Sequence, residues 1–437
     1  MSQLALWPAL SEGTEHHSRS NARINQLAAQ DEAVHNWYRF VLSFPPHLVG
    51  QYLARLEVSD GMRVLDPFCG TGTTVVECQK RGIHSIGVEA NSMACLAAQT
   101  KIEWDVDGAE AALGACQIAE EAHTISACEE QRNVSRTLAP EAMSLLLTGS
   151  ISPRPLHKTL VLLERIEAHP RAELRRFWKL ALAKALVGPI GNLHFGPEVG
   201  VGQPKDDAPV VDAWLGNVRA MVRDVDSLSG AAPACAQVQH ADARRIASLL
   251  PPASIHAVIT SPPYPNEKDY TRTTRLEAVV LGLLNTKDEL RALKQGLLRS
   301  NTRTVYKGDD DDQWVAHHPE IQRIAAAIEA RRIELGKTSG FERLYARVTT
   351  LYFGGMARHL HELKAVLCPG ARLAYVVGDQ ASYLRVMIRT GQLLASLAEE
   401  AGYEVLSIDL WRTRLATATK EQLREEVVVL RWPGEKG

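Results

Sequence analysis

Short apolar segments separated by turn residues characterise the early part of the chain. One segment ends at Asp66, a glycine-rich turn follows it, and a helical pattern then leads to a second apolar segment that ends at Glu89. Upstream, an amphipathic pattern over residues 34–56 contains a Phe-Pro-Pro turn and predicts a helix. Strand, turn, helix and strand in this order are typical of a parallel sheet, so the pattern predicts the opening of an α/β fold.

The hydrophobic pattern changes between about Leu96 and Ala236, where Ala-, Leu- and Glu-rich helical stretches dominate. A glycine- and proline-rich loop at residues 187–209 interrupts them. Strand-like segments return in AQVQH and IHAVIT, and LAYVVG, EVLSIDLW and EEVVVLRW predict the closing strands of the same sheet. Because a connection of about 140 residues far exceeds the usual loop, we interpret this part as a largely helical insertion.

The predicted organisation has four parts. An N-terminal arm covers residues 1–33, and a catalytic domain is assembled from residues 34–100 and 236–437, with the cofactor half first and the catalytic motif second. The helical insertion covers residues 101–235 and separates the two halves. Within the second half, residues 265–347 form a basic, helical region.

Composition restricts the class of protein. The 437 residues are 45% hydrophobic and 23% charged, with a formal net charge of −2, as is ordinary for a globular protein. This charge argues against a wholly basic nucleic-acid binder but permits a local basic cleft. The seven cysteines contain no CxxC pair, and the sequence shows no signal-peptide pattern and no apolar run of membrane-spanning length. We therefore expect a soluble, cytoplasmic enzyme.

No metal site is expected. The His pairs at 16–17 and 317–318 lie in polar surroundings without other ligand types nearby, and the acidic run at 309–312 is typical of a solvated loop. The cysteines are interpreted as structural residues, since none lies in a spacing that suggests a metal ligand set.

The first group of chemically informative residues lies at the turn between the first strand and the helix after it. Glycines let the backbone approach a ligand closely there, because a Cβ atom would collide. Glu89 follows the glycines by about 20 residues, the spacing that places a carboxylate on a ribose diol. A phosphate-binding GK[ST] sequence is missing. The predicted nucleotide-binding residues are Asp66, Pro67, Phe68, Gly70, Gly72, Thr73, Thr74, Glu89, Ala90 and Asn91.

The second group follows the strand that contains IHAVIT. Ser261, Pro262, Pro263 and Tyr264 stand directly after this strand, in the crevice where open α/β sheets bind ligands. Two successive prolines leave nearby carbonyl groups without local N–H partners. These carbonyls and the Ser261 oxygen can therefore accept hydrogen bonds from an amino group, and the Tyr264 ring offers a flat face for stacking. These four residues are the predicted catalytic motif.

Together, DPFCGTGTT, GVEAN and TSPPY resemble the motifs of the amino-methyltransferase family of DNA methyltransferases, which form N4-methylcytosine or N6-methyladenine. The resemblance implies a Rossmann-like class I sheet and S-adenosylmethionine as the cofactor. FPPHLV resembles the family's cofactor-closing motif, and HADARR resembles the motif whose acid meets the adenine amino group. These two motifs add Phe44, Pro45, Asp242 and Ala243 to the expected cofactor residues.

The resemblance also implies methyl transfer to an exocyclic amino group of a base that is flipped out of double-stranded DNA. The motif TSPPY, with serine before the two prolines, is similar to the motif of cytosine-N4 enzymes, so N4-methylcytosine is the expected product. An adenine-N6 enzyme, an RNA guanine-N2-type enzyme and a catalytically silent cofactor- or DNA-binding subunit are the alternatives. A cognate restriction endonuclease is considered as a partner, while the recognition sequence and the oligomeric state stay open.

Two segments concentrate positive charge and are candidates for DNA contact. After the catalytic motif, the candidate residues are Arg272, Arg275, Arg299 and Arg303. In the insertion, basic residues between 165 and 179 lie on a helical pattern beside Phe177 and Trp178. The insertion is large enough to contact base edges in the major groove, where base pairs are distinguishable. It is therefore the candidate target-recognition region, with residues 265–347 as the second candidate.

Overall fold

The computed structural model describes residues 27, 31–39, 43–195, 198–228, 235–265, 269–415 and 422–435. Most of the predicted N-terminal arm, including His16 and His17, lies outside the described residues. None of the helices in the described ranges has both the length and the apolar character needed to cross a membrane.

Among the described residues, seven strands form one sheet and two more form a separate antiparallel hairpin. The strands are β1 Arg63–Asp66, β2 His84–Glu89, β3 Leu193–Phe195, β4 Val199–Val201, β5 Ala236–His240, β6 Ile255–Thr260, β7 Leu367–Gly378, β8 Glu404–Leu415 and β9 Gln422–Arg431. Their order across the main sheet is β5-β2-β1-β6-β7-β9-β8, in which β9 runs antiparallel to both neighbours and the other pairs are parallel. The predicted Rossmann-like α/β sheet is confirmed.

Helices connect the strands and fill the long insertion. The α-helices are α1 Pro46–Arg55, α2 Thr73–Lys80, α3 Ser92–Lys101, α4 Gly108–Gln131, α5 Pro140–Leu145, α6 Pro153–Glu167, α7 Ala172–Ala185, α8 Val210–Leu228, α9 Tyr270–Thr273, α10 Arg275–Val280, α11 Lys287–Gly296, α12 Pro319–Glu334, α13 Tyr345–Leu363 and α14 Thr390–Glu400. A π-helical turn, Leu186–Ile190, continues α7. Short 3₁₀ segments lie at His35–Trp37, Ala243–Ser248, Thr302–Thr304, Asp311–Val315, Glu342–Leu344 and Lys364–Val366.

The strand order reverses between β1 and β6. The chain passes from β1 outward to β2 and β5, and then returns to β6 on the other side of β1. A crevice opens at such a switch point, at the carboxyl ends of the parallel strands. The glycine turn follows β1 and the catalytic motif follows β6. The sheet therefore brings both predicted motifs to the same crevice.

The insertion between β2 and β5 packs around an apolar core that it shares with α3 and α10. Helices α4, α6, α7 and α8 contact one another, and Phe177, Trp178 and Trp214 are fully buried in the apolar cluster that they form. The glycine- and proline-rich loop predicted in this region contains the short hairpin β3–β4, which lies between α7 and α8 in the chain. The insertion is thus a helical layer with one small hairpin.

The basic helix of the insertion is not a free cationic face. The candidate basic residues, one in α6 and the others at or in α7, each form an ion pair with a glutamate of the same insertion; they are Arg165, Arg171, Arg175, Arg176 and Lys179. Because Phe177 and Trp178 are buried, they are also inaccessible to a base. These two aromatic residues therefore belong to the core, whereas DNA contact by the paired basic side chains stays a prediction.

The acidic run and one histidine are also less exposed than the sequence suggested. Asp309 forms an ion pair with Arg299, and Asp311 is buried and forms one with Arg244. His318 is buried as well, and its side chain caps the first turn of α12. The prediction that these residues are solvated is wrong, because each has a partner outside its local sequence, which for His318 is the Ser396 hydroxyl at 3.1 Å.

Gly354 of α13 allows the loop that contains Asp311 to pack directly against the helix, since a Cβ atom at Gly354 would collide with the Asp311 carbonyl group. We expect Gly354→Ala to lower the free energy of unfolding by about 1–3 kcal/mol, the usual effect of overpacking. Urea denaturation measures this change.

The matched control is Gly216→Ala in α8. A Cβ atom at this exposed position meets nothing within 4 Å, so alanine should raise the free energy of unfolding by about 0.5–1 kcal/mol through its helix propensity. If the two substitutions changed stability in the same direction, the close packing assigned to Gly354 would be wrong.

Candidate active site

The turn between β1 and α2 presents backbone to the crevice. Gly70 and Gly72 have φ values of +54° and +92°, in the left-handed region that favours glycine. A Cβ atom at Gly72 would lie 3.2 Å from the Cα atom of Ala98, so this glycine also lets α3 approach the turn. Thr73 and Thr74 are buried at the start of α2. A ligand can therefore approach the turn without meeting a side chain at either glycine.

Glu89 closes the turn from the end of β2. Its Oε2 atom accepts a hydrogen bond from the Gly70 amide at 2.7 Å, and its Oε1 atom accepts one from the Asn91 amide at 2.7 Å. Each oxygen keeps a second lone pair for a ligand. Burial raises the pKa of Glu89 to about 7. Ala90 lies between the two residues, and its carbonyl group contacts His240 of β5.

Asn91 links this edge of the nucleotide turn to the segment after the catalytic motif. Its side-chain oxygen caps α3 by accepting hydrogen bonds from the amides of Met93 and Ala94. Its Nδ2 atom donates to the Thr274 hydroxyl at 3.3 Å, and that hydroxyl donates to the Tyr270 carbonyl. Asn91 is therefore a structural residue of the site as well as a predicted ligand contact.

Asp66 connects the two motif-bearing strands. It is fully buried, and its Oδ1 atom accepts hydrogen bonds from the Thr260 hydroxyl at 2.6 Å and from the Phe68 amide at 3.2 Å. Thr74 adds a second connection by donating to the Ile259 carbonyl at 3.2 Å. Burial raises the pKa of Asp66 to about 6. Its Oδ2 atom has no hydrogen-bond partner among the described residues, so an unused acceptor lies beneath the turn. Pro67, also buried, follows it.

The catalytic motif begins directly after β6. The Ser261 hydroxyl donates its proton to the Val376 carbonyl of β7 at 3.1 Å. Because a serine hydroxyl has a single proton, both of its lone pairs stay available to accept hydrogen bonds. Pro262 is buried, while Pro263 and Tyr264 are partly exposed. Neighbouring strand β7 therefore fixes Ser261 as an acceptor toward any amino group in the crevice.

Gly378, the last residue of β7, lies against the Tyr264 ring. A Cβ atom at Gly378 would be 2.8 Å from Cε2 and 3.2 Å from Cδ2 of that ring, which is closer than packed carbon atoms come. The ring position thus depends on the absence of a side chain at residue 378. The sequence analysis missed Gly378, because a glycine at the end of a strand carries no signal for a contact with a ring more than a hundred residues away.

A buried histidine positions two of the predicted cofactor residues. The His359 ring lies edge-on to the Phe68 ring at a centroid distance of 4.9 Å, and its Nδ1 atom is 3.0 Å from the Ala243 carbonyl. Its Nε2 atom is 2.8 Å from the Tyr375 hydroxyl. Burial lowers the pKa of His359 to about 4, so the ring is neutral, with Nδ1 donating and Nε2 accepting. The sequence did not single out His359, which lies in an ordinary helical pattern.

Asp242 is held next to the end of β2. Its carboxylate accepts hydrogen bonds from the Arg244 amide at 2.9 Å and from the Arg244 guanidinium at 2.7 Å. Arg244 is buried and also pairs with Asp311. The amide of Ala241 donates to the Glu89 carbonyl at 3.1 Å. Asp242 and Glu89, two of the three predicted cofactor acids, are therefore at the ends of paired strands.

Phe44 and Pro45 lead into α1. Pro45 is the residue before the helix, and Phe44 packs against the apolar cluster that α1 forms with β1, β6, β7 and β9. The predicted cofactor-closing segment is therefore attached to the strands that carry both motifs.

Two of the arginines predicted to contact DNA are engaged inside the protein. Arg299 is only 3% exposed, pairs with Asp309 at 2.7 Å and donates to three backbone carbonyls. Arg275 is partly buried and donates to the carbonyls of Thr271 and Leu145. The structure therefore assigns Arg299 to the interior, where a phosphate cannot reach it, and Arg275 to the junction with the insertion.

The other two arginines lie beside the β3–β4 hairpin. The Nε atom of Arg272 is 3.4 Å from the Val199 carbonyl, and Arg303 lies 3.0 Å from the Glu198 carboxylate. Arg303 also stacks over the Phe341 ring at 5.7 Å. These contacts join the segment after the catalytic motif to the insertion.

The sheet order and the two motifs at its switch point define the methyltransferase class of Rossmann-like α/β proteins. Within this class, residues 7–100 match the family model described as DNA methylase, of the N6/N4 type. The resemblance inferred from the motifs is confirmed.

Two curated relatives align along nearly the whole chain. Type II methyltransferase M.BsoBI of Geobacillus stearothermophilus is 24% identical over 460 residues, which cover 96% of this chain and 88% of the relative. Type II methyltransferase M.AvaI of Nostoc sp. (strain PCC 7120) is 23% identical over 464 residues, which cover 96% and 90%.

Solved structures superpose only weakly. A SAM-dependent methyltransferase from Methanosarcina mazei aligns with a TM-score of 0.30 and 10% identity over 88% of this chain and 98% of that one. TrmN from Thermus thermophilus aligns with a TM-score of 0.26 and 12% identity over 89% and 48% of the two chains. The family resemblance rests on the sequence matches and not on these superpositions.

The contact between Gly378 and Tyr264 leads to a prediction about activity. We expect Gly378→Ala to displace the Tyr264 ring and to slow DNA methylation by about 10- to 100-fold, because small misplacements in an active site have effects of that size. Single-turnover rates of methyl transfer measure the change. Gly216→Ala, in the insertion, is the control and should leave the rate unaltered. Equal rates for both variants would show that the ring position is unimportant.

Proposed function

We propose that this DNA methyltransferase transfers a methyl group from S-adenosylmethionine to the exocyclic N4 atom of a flipped cytosine. The observation that carries the proposal is the Ser261 hydroxyl, whose proton is donated to the Val376 carbonyl at 3.1 Å. Ser261 can therefore act only as a hydrogen-bond acceptor toward the target. This role suits an amino group, because its two N–H groups are hydrogen-bond donors. N4-methylcytosine is the proposed product because the first residue of the motif is serine, as in the cytosine-N4 enzymes that the motif resembles.

The residues of the turn between β1 and α2 fit the cofactor. Asp66 has a buried oxygen without a hydrogen-bond partner in the part of the chain that the structure describes, Glu89 has free lone pairs at the end of β2, and the glycines leave room for close approach. In this assignment Glu89 accepts hydrogen bonds from the ribose hydroxyls, and Asp242 and Phe68 lie on the adenine side. When bound, S-adenosylmethionine supplies an electrophilic methyl group on a sulfonium.

The catalytic motif increases the nucleophilicity of the amino nitrogen. The lone pair of an exocyclic amine is delocalised into the ring, so the amine reacts poorly in solution. Ser261 Oγ and the Pro262 carbonyl accept hydrogen bonds from its two N–H groups. These hydrogen bonds localise the lone pair and stabilise the positive charge that develops on the nitrogen in the transition state. Tyr264 stacks on the flipped base and holds it against the motif.

The same geometry would also accept the amino group of adenine, which makes adenine-N6 methylation the second outcome to test.

We further propose that the insertion, residues 101–235, contributes to target recognition through the part that lies near the catalytic edge. Because the relatives are named Type II methyltransferases, a cognate restriction endonuclease is the proposed partner in the cell.

The chemical proposal predicts the product and the effect of removing its acceptor. We expect Ser261→Ala to lower the rate of methyl transfer by about 10²- to 10³-fold, the size found for loss of one preorganised hydrogen-bonding group, with unchanged cofactor affinity. Mass spectrometry of nucleosides from DNA methylated in vitro should detect N4-methylcytosine.

Ser254→Ala is the matched control, because Ser254 precedes the same strand β6 and its hydroxyl donates only to the Pro251 carbonyl. It should leave the rate unchanged. N6-methyladenine as the sole product would make the target assignment wrong, and 5-methylcytosine would contradict the mechanism.

The raised pKa of Glu89 predicts a pH-dependent cofactor affinity. Burial holds this pKa at about 7, and the ionised carboxylate is the better acceptor for ribose hydroxyls. The affinity for S-adenosylmethionine should therefore rise as the pH increases from 6 to 8 and then level off. Calorimetry at several pH values measures it. Glu89→Gln should bind more weakly and with little pH dependence. A variant with the same pH profile as the wild type would exclude Glu89 as the titrating group.

A further inference from the structure

A group of arginines lies next to the catalytic motif but outside the segments that the sequence suggested for DNA contact. Its exposed members are Arg389, Arg414 and Arg424, which we term the arginine rim. Their side chains are 42%, 41% and 40% exposed, respectively. They come from the segment before α14 and from the ends of β8 and β9, where these strands meet the carboxyl end of β7.

Each rim arginine is held by a carboxylate that is itself buried. Arg389 contacts Asp379 at 2.5 Å, and the Asp379 side chain is 1% exposed. Arg424 contacts Glu426 at 2.8 Å, with the carboxylate 3% exposed. The buried acids lie below the exposed guanidinium groups and hold the arginine side chains at defined positions. Less conformational entropy is therefore lost when these arginines bind a ligand.

The third anchor is shared. Glu425, 7% exposed, contacts Arg414 at 3.2 Å through one oxygen and Arg412 at 2.5 Å through the other. Arg412 is 14% exposed and lies over the Trp411 ring. Because Glu425 has two partners, removal of Arg414 does not leave its charge unpaired.

The arginines of this surface outnumber the carboxylates that hold them, so its net charge is positive. Four guanidinium groups, from Arg389, Arg412, Arg414 and Arg424, face three carboxylates, from Asp379, Glu425 and Glu426. All three acids are buried, and burial raises the pKa of Glu426, which weakens its negative charge. A polyanion that approaches this surface therefore meets guanidinium groups with unused N–H donors.

The rim is adjacent to the catalytic tyrosine. Gly378 pairs with Glu425 across β7 and β9, and Gly378 is also the residue against which the Tyr264 ring lies. The Asp379 anchor follows Gly378 directly, and its amide donates to the Arg424 carbonyl at 2.8 Å. Asp379 is therefore the neighbour of the glycine that contacts the Tyr264 ring, and this ring is proposed to stack on the target base.

We propose that the arginine rim binds the phosphates of the DNA strand next to the flipped nucleotide. The inference rests on the proposed function, because it takes the base to lie at Tyr264. Arginine suits this role, since its planar group can donate two parallel hydrogen bonds to one phosphate. The rim contacts the backbone and so contributes to affinity and orientation, while base-edge contacts elsewhere determine the sequence that is methylated.

Arg414→Gln and Arg424→Gln, alone and combined, test the proposal with a 30-base-pair duplex DNA as the probe. The affinity for DNA should fall in each variant. The slope of log K against log salt concentration should become shallower by about 0.9 for each phosphate contact that is lost, so by about 1.8 in the double variant. Arg414→Lys should keep most of the slope, because the charge is retained.

Arg431→Gln is the matched control. Arg431 lies on the same strand β9, is 48% exposed and pairs with Glu404 at 3.2 Å, but it lies at the opposite end of the strand from the catalytic edge. It should bind DNA with the slope of the wild type. The affinity of all variants for S-adenosylmethionine and their melting temperatures show whether each is folded.

Folded rim variants with the wild-type affinity and slope would overturn the proposal, and the arginines would then only stabilise the β8–β9 pair. A loss confined to an RNA duplex of the same length would overturn the assignment to DNA. If the wild type itself bound no duplex DNA, the proposed function would fail instead, and this outcome is distinct from the first two.

Discussion

A buried hydrogen bond of 2.6 Å joins Asp66, the last residue of β1, to Thr260, the last residue of β6. Parallel pairing of Val64 and Leu65 with residues of β6 brings the two ends together although the whole insertion lies between them in the chain. The nucleotide turn follows Asp66, and the catalytic motif follows Thr260. The spacing between the nucleotide turn and the catalytic motif is therefore set in the buried interior of the sheet and not by the loops that follow the strands.

The same constraint explains how the fold tolerates a large insertion. Residues of β2 from Ser85 to Glu89 pair in parallel with β5 from Ala236 to His240, so the chain leaves the sheet at one strand and returns beside it. The insertion packs around Trp178 and Trp214 in an apolar cluster that it shares with α3 and α10, and its Arg175, Arg176 and Lys179 pair with its own glutamates. It adds a layer next to the site without altering the register of the strands that form the site.

The sequence predicted what local patterns encode: the glycine turn, the acid at the end of β2, the strand before the Ser-Pro-Pro-Tyr motif and the helical insertion. It could not predict His359 or Gly378, because their roles are contacts with rings that are remote in the chain. The candidate Arg299 was wrong for a related reason. Its positive charge is visible in the sequence, but burial and its pairing with Asp309 are tertiary facts. Charge alone does not distinguish a surface that binds a partner from an internal ion pair.

The pairing of β1 with β6 has a consequence for chain connectivity. The half that carries the nucleotide turn and the half that carries the catalytic motif meet side by side through strand pairing, and the covalent link between them runs through the helical insertion. Their order along the polypeptide is thus a property of the connections and not of the packing. A circularly permuted chain, opened within the insertion and joined elsewhere, could retain the same sheet register, the same buried hydrogen bond and the same crevice.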